Sequence, residues 1–90
     1  MNGKANGKVV SVLDRREGTA KNGREFEVVQ CLFEVSAMRA YNFVFDYFRY
    51  KDDEKNELPP VGQTIEVTCE VSASSYQGKY YNNVRCLMWK

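Results

Sequence analysis

Histidine is absent from this chain of 90 residues, and its absence removes several kinds of chemistry. A Cys–His nucleophile cannot be assembled, and acid–base catalysis would fall to carboxylates, tyrosine or lysine. The carboxylates are scattered through predicted loops and outward strand positions, and no G-x-S-x-G, P-loop or G-x-G-x-x-G motif occurs. We therefore expect a protein that is not an enzyme and that needs no cofactor.

Cysteine is also scarce, with only Cys31, Cys69 and Cys86. There is no C-x-x-C pair and no histidine to complete a zinc site, and the odd number of cysteines argues against a disulfide framework. We expect all three to be small buried side chains in a reducing compartment, and we expect no metal site.

Long apolar runs are missing too. No segment approaches the ~20 apolar residues that a membrane span requires, and the N-terminal MNGKANGK lacks the apolar region of a signal peptide. We expect a cytoplasmic protein without a membrane partner, forming a single domain over residues 1–90. The net charge is only +1, so any binding of an anion would depend on local clusters of basic residues.

What the chain does contain is alternation of apolar and polar residues, which predicts five β-strands. The first three are Gly7–Asp14, Arg24–Val35 and Ala40–Phe48, and the last two form a hairpin around a turn at Ser74–Lys79. Asn22-Gly23 is a strong turn signal before the second strand. In that strand the alternation breaks at Val28-Val29 and Leu32-Phe33, which predicts a bulge or a bend.

The polar segment from Arg49 to Pro60 ends in two prolines and can hold at most a turn or two of helix. Five strands with a linker between the third and the fourth favour an all-β, five-stranded Greek-key barrel of the OB-fold type, with little or no helix between strands three and four. An SH3-like barrel is the structural alternative, but its strands are typically shorter.

Four motifs resemble those of a family of small bacterial proteins of unknown function whose OB-fold is similar to that of single-stranded-DNA-binding proteins. They are G-K-V-V-x-V-L at Gly7–Leu13, G-T-A-K-N-G-R-E at Gly18–Glu25, P-x-V-G-Q-x-I-E-V at Pro59–Val67 and Y-Q-G-K-Y-Y-N-N-V-R at Tyr76–Arg85. The resemblance implies the OB-fold and, with it, a role in binding single-stranded DNA.

OB-folds bind ligands on the face of strands two and three, between the first-to-second and fourth-to-fifth loops. Basic and aromatic residues cluster in those regions, where cations would neutralise phosphates and rings would stack on bases. The candidate nucleic-acid-binding residues are Arg15, Arg16, Lys21, Arg24, Tyr76, Lys79, Tyr80, Tyr81, Arg85 and Trp89.

Other apolar and aromatic residues are expected to have structural roles instead. We expect Phe26, Val28, Phe43, Val44 and Phe45 in the core. Tyr80 and Tyr81 face opposite ways on one strand, so we expect one of them to be buried beside Val84 and Cys86. Trp89 is expected to contact either a base or a partner subunit.

Two functions follow as hypotheses. The first is a module that binds single-stranded DNA or RNA, most readily DNA, with weak sequence preference. The alternative is a structural or protein-interaction barrel that oligomerises without binding nucleic acid. A homodimer or homotetramer is compatible with both hypotheses.

Overall fold

The computed structural model describes the whole chain, Met1–Lys90, as five β-strands. They are β1 (Asn2–Thr19), β2 (Glu25–Val35), β3 (Tyr41–Tyr50), β4 (Thr64–Tyr76) and β5 (Lys79–Trp89). The structure contains no helix that could span a membrane.

The five strands close into a barrel in the order β1-β2-β3-β5-β4. Neighbouring strands are antiparallel except β3 and β5, which run parallel and pair only at Asp46↔Arg85 and Tyr47↔Cys86. This confirms the predicted all-β OB-fold, including the absence of a helix between the third and fourth strands.

Strand β1 is much longer than the predicted Gly7–Asp14, because it pairs with two partners in succession. Its first part pairs with β4 from Asn2 to Lys8, and its later part pairs with β2 from Gly7 to Thr19. Arg15 and Arg16 therefore lie in a strand, and their predicted position in the first-to-second loop was wrong.

The predicted irregularity lies in β1 and not in β2. The register between the two strands shifts between Val9 and Ser11, and again between Val12 and Asp14. Each shift adds one residue to β1, which bends the strand around the barrel. Strand β2 itself alternates strictly between buried and partly exposed residues. It looked irregular in the sequence because apolar residues occupy both of its faces.

The core contains eleven buried residues from all five strands, and the three cysteines are among them, as predicted. The others are Val9, Val29, Phe33, Val35, Phe45, Tyr47, Ile65 and Val67. Phe45 is buried and Phe43 packs against the core, as expected. The same prediction was wrong for Phe26, Val28 and Val44, which lie on the outside of the barrel.

Two tight connections fix the hairpins. Between β1 and β2, Gly23 has a positive φ of 84° and Asn22 Oδ1 accepts a hydrogen bond from the Arg24 amide, which confirms the predicted Asn-Gly turn. Between β4 and β5, Gln77 and Gly78 have φ values of 50° and 78°. Positive φ at both central positions is what a type I′ hairpin turn requires.

Residues 51–63 connect β3 to β4 without forming a helix or a strand, and side chains of β3 and β5 hold them in place. Arg49 donates to the carbonyl oxygens of Asn56 (2.6 Å) and Asp53 (3.1 Å). The Tyr47 hydroxyl bonds to the Asn56 side chain, and the Trp89 indole N–H donates to the Glu57 carbonyl at 2.9 Å.

Candidate nucleic-acid interface

Three rings lie side by side on the outer face of β2 and β3. Phe26 and Phe48 are stacked, with centroids 5.2 Å apart and an interplanar angle of 30°. Phe48 and Tyr50 meet edge to face, with centroids 5.1 Å apart. We call these three residues the aromatic platform. Phe48 keeps 39% of its surface exposed, so a flat ring can reach it from solvent.

The platform faces outward because the inward positions of β2 are already taken. Glu27, Val29, Cys31, Phe33 and Val35 point into the barrel, and the intervening residues, beginning with Phe26, must point away from it. Gly18 lies opposite Phe26 on β1, and a Cβ there would come within 2.7 Å of the Phe26 ring. The glycine therefore gives the ring room to lie flat against the sheet.

One of the predicted basic residues adjoins the platform directly. The Arg24 guanidinium lies 3.8 Å from the centroid of the Tyr50 ring, a cation–π contact. The same group donates to both carboxylate oxygens of Asp52, at 2.7 and 3.2 Å. The hydrogen bond from Arg24 lowers the pKa of Asp52, and the same bond raises the pKa of Arg24.

The other three predicted basic residues at this end of the barrel differ in how freely they can meet a phosphate. Arg16 lies in one row with Val28 and Phe48 across the three strands, and its nearest carboxylate is Asp14 at 3.9 Å. Lys21 lies in the exposed β1–β2 turn. Arg15 points to the inner side, where its guanidinium binds Glu27.

Glu27 is the one charged residue among the buried side chains. It accepts hydrogen bonds from Arg15 and from Arg49, the latter at 3.0 Å. Burial raises the pKa of Glu27, but the hydrogen bonds from Arg49 and Arg15 outweigh burial and leave that pKa below its ordinary value. The carboxylate therefore stays ionised and links β1, β2 and β3 beneath the platform.

The tip of the β4–β5 hairpin carries the second group of predicted residues. Tyr76, Tyr80 and Tyr81 are exposed by 66%, 81% and 50%, and Lys79 is exposed beside them. The expectation that either Tyr80 or Tyr81 is buried was wrong. The hairpin extends past the barrel, so at its tip β4 and β5 pair only with each other and neither face of the ribbon is covered.

Arg85 and Trp89 lie lower on β5 and are already engaged. Arg85 pairs with Glu70 on β4 at 3.0 Å. Trp89 packs against the core of its own chain and holds the linker through Glu57. The structure therefore places Trp89 in an internal contact, away from the aromatic platform.

Between the platform and the hairpin, the barrel wall opens. Strands β3 and β5 separate before their two paired positions, and the gap forms a groove of about 370 Å³ on the outer surface. We call it the β3–β5 cleft. It is lined by Gln30, Val44, Phe45, Asp46, Asn82, Asn83 and Val84.

The structure thus gathers eight of the ten predicted residues into two groups, one beside the platform and one on the hairpin tip, and leaves Arg85 and Trp89 outside both. The sequence did not reveal the platform, because its pattern assigned Phe26 to the core and because neither Phe48 nor Tyr50 was among the candidate binding residues. The signal that would have found it is the apolar residue at every second position from Val29 to Val35, which places Phe26 on the opposite face.

Comparison with known proteins supports the fold. No protein-family model matches the sequence, and no curated protein matches it. Among solved structures, the chain is similar to a small single-stranded DNA-binding protein from Streptomyces coelicolor, with a TM-score of 0.55 and 12% sequence identity. The similarity covers 100% of this chain and 92% of the other. The protein therefore has an OB-fold of the kind seen in single-stranded-DNA-binding proteins.

Proposed function

We propose that this protein is a non-enzymatic OB-fold module that binds single-stranded nucleic acid, DNA in particular. The observation that carries the proposal is the aromatic platform on the outer face of β2 and β3, which is the face OB-folds use for oligonucleotides. The fold's similarity to a single-stranded DNA-binding protein supports the same role.

In this proposal the rings supply most of the affinity. Bases stack on Phe48 and on its platform neighbours, and each stacked base contributes about 1–3 kcal/mol. Arg16, Lys21 and Lys79 are exposed and can neutralise phosphates on either side. The hairpin tyrosines Tyr80 and Tyr81 offer a second stacking surface for the part of the nucleic acid that extends beyond the cleft.

The test is a fluorescence-anisotropy titration of labelled oligothymidylate with the wild-type protein and with Phe48→Ala. We expect the variant to bind about tenfold more weakly, which is the lower part of the range for one stacked base. Its folding should change little, because Phe48 lies outside the core.

Tyr41→Ala is the matched control for that titration. Tyr41 is an exposed aromatic residue of the same strand, but it lies at the opposite end of β3, outside the platform. Its substitution should leave the affinity unchanged. Equal affinity of wild-type protein and Phe48→Ala for the oligonucleotide would remove the platform from the proposal.

A protein-interaction barrel is the second candidate, and one observation favours it. Leu87 and Met88 are exposed on β5 next to Trp89, and together with Tyr47 they line an open groove of about 360 Å³. A homodimer or homotetramer would cover this surface. Light scattering after size exclusion measures the oligomeric state and so tests this second function. An oligomer that dissociates on Leu87→Lys substitution, in a protein that binds no oligonucleotide, would favour it.

A further inference from the structure

The β3–β5 cleft contains a carboxylate whose hydrogen bonding is incomplete. Asp46 lines the cleft, and its Oδ1 atom is enclosed without any hydrogen-bond partner. Its neighbour in the ladder, Arg85, does not neutralise it, because the Arg85 guanidinium pairs with Glu70 instead. An enclosed carboxylate oxygen without a donor is unfavourable. Rotation of the Asp46 side chain toward the cleft would present both oxygens to a ligand that brings donors, and the new hydrogen bonds would relieve that cost.

The rest of the cleft suits the edge of a flat heterocycle. Val44 and Val84 provide apolar walls, and the side-chain amides of Gln30 and Asn82 add groups that both donate and accept. A phosphate would be repelled by Asp46, since an ionised carboxylate is an acceptor only. The cleft therefore selects a ligand with hydrogen-bond donors.

The position of the cleft connects it to the platform. Gln30 is two residues beyond Val28 on β2, and Asp46 is two residues before Phe48 on β3, so both face outward. Two residues along a strand span about 7 Å. A strand of nucleic acid with one base stacked on Phe48 can place a neighbouring base in the cleft.

Among the four DNA bases, guanine offers the donors that a carboxylate needs. Its N1–H and its N2 amino group are adjacent on the Watson–Crick edge and can both bond to one carboxylate. Adenine and cytosine present a single amino group beside an acceptor nitrogen, and thymine presents a single N–H between two carbonyls. The guanine O6 atom remains free to accept from an amide of Gln30 or Asn82.

We propose that the β3–β5 cleft binds the Watson–Crick edge of a guanine through Asp46, which gives the protein a preference for guanine-containing single strands. This inference rests on the proposed function and adds a base preference to it. From the sequence alone only weak preference is expected, because the order of residues does not show that Gln30, Asp46 and Asn82 line one cleft.

The test compares labelled oligothymidylates of about 15 nucleotides, near the upper end of OB-fold site sizes. One has thymine throughout, one has a central guanine, and one has a central hypoxanthine, which lacks only the 2-amino group. We expect the wild-type protein to bind the guanine strand roughly tenfold more tightly than the other two, as is usual for a bidentate base contact.

Two variants separate the specific contact from general electrostatics. Asp46→Asn keeps the shape of the side chain but replaces one acceptor oxygen with a donor, so the guanine preference should fall below about twofold. Asp14→Asn removes the same charge from an exposed position in the same row of the sheet, Asp14–Gln30–Asp46, and should keep the full preference.

Each outcome bears on a definite claim. Equal wild-type affinity for guanine and hypoxanthine strands overturns the guanine site while leaving binding of single-stranded DNA intact. A preference that survives in Asp46→Asn overturns the role of Asp46. Failure of the wild-type protein to bind any of the three strands overturns the proposed function and the guanine site together. The guanine–hypoxanthine comparison needs no variant, so it does not depend on whether Asp46→Asn folds.

Discussion

Glu27 shows how one residue can determine the geometry of a binding face. Its carboxylate lies inside the barrel on β2 and is bound by Arg15 of β1 and by Arg49 of β3. Phe26 precedes it on the same strand and faces outward. Because the ion pairs fix the three strands relative to one another at this point, they also fix the platform rings above them. A buried carboxylate that keeps two partners is stable, but loss of its charge leaves two guanidinium groups uncompensated.

Glu27→Gln should therefore lower the free energy of unfolding by about 2–4 kcal/mol at neutral pH. The pKa of Glu27 in the folded protein is below its ordinary value, so its contribution is complete above about pH 4.3, the unfolded value. The contribution is lost as the pH falls from there through the folded pKa. Urea denaturation at several pH values measures this effect. The gap between wild type and variant should be constant from pH 7 to about 5 and should close in acid; a gap that widens as the pH falls would contradict the assignment.

At the scale of elements, the bend of β1 is what allows one strand to pair with both β2 and β4. Gly7 lies where the two ladders overlap, since it pairs with Val35 of β2 and with Ile65 of β4. A Cβ at this position would lie 2.0 Å from the Glu34 carbonyl oxygen and 2.9 Å from the Phe33 ring. Only glycine permits so close an approach of the two backbones.

Gly7→Ala should destabilise the protein by roughly 2–4 kcal/mol, because backbone atoms have to move to admit the methyl group. Gly3→Ala is the control in the same strand, since a Cβ there meets nothing within 4 Å. It should be neutral or slightly stabilising, as alanine loses less entropy than glycine on folding. Thermal or urea denaturation of the two variants tests this directly. Equal stability of both would show that β1 does not depend on the close approach at Gly7.

The strands also show which features of the fold could be predicted from the sequence and which could not. The number of strands, the Asn-Gly turn and the missing helix follow from alternation and turn chemistry, which are local properties. The face occupied by Phe26 could not be predicted in this way. Strand β2 has apolar residues on both faces, and the charge of Glu27 suggests an exposed residue although its side chain points inward. Its partners, Arg15 and Arg49, are 12 and 22 residues away in the chain, so only the folded barrel reveals the pairing.

For the whole molecule, the distribution of charge matters more than its sum. The net charge is +1, and several cations near the proposed interface are occupied by carboxylates: Arg15 by Glu27, Arg24 by Asp52 and Arg85 by Glu70. Local clustering of basic residues was predicted from the sequence, but these ion pairs were not, because each joins residues from different strands or loops. Stacking, and not phosphate contact, should therefore dominate binding.

The dependence of affinity on salt tests that balance. If Arg16, Lys21 and Lys79 make the phosphate contacts, about three counterions are released, and the logarithm of the association constant should fall against that of the salt concentration with a slope of about −2. Anisotropy titrations with oligothymidylate at several salt concentrations provide the slope. A slope of about −4 or steeper would mean that the paired arginines leave their carboxylates to bind phosphates, and stacking would then not dominate binding.

The most direct test of where nucleic acid lies is an amide chemical-shift titration of the ¹⁵N-labelled protein with oligothymidylate. We expect the largest changes along the outer face of β2 and β3, at Phe26, Val28, Phe48 and Tyr50. Only small changes are expected in the N-terminal part of β1, from Asn2 to Ala5. Changes concentrated instead at Leu87–Trp89, or no change at any amide, would contradict the claim that the aromatic platform binds single-stranded DNA.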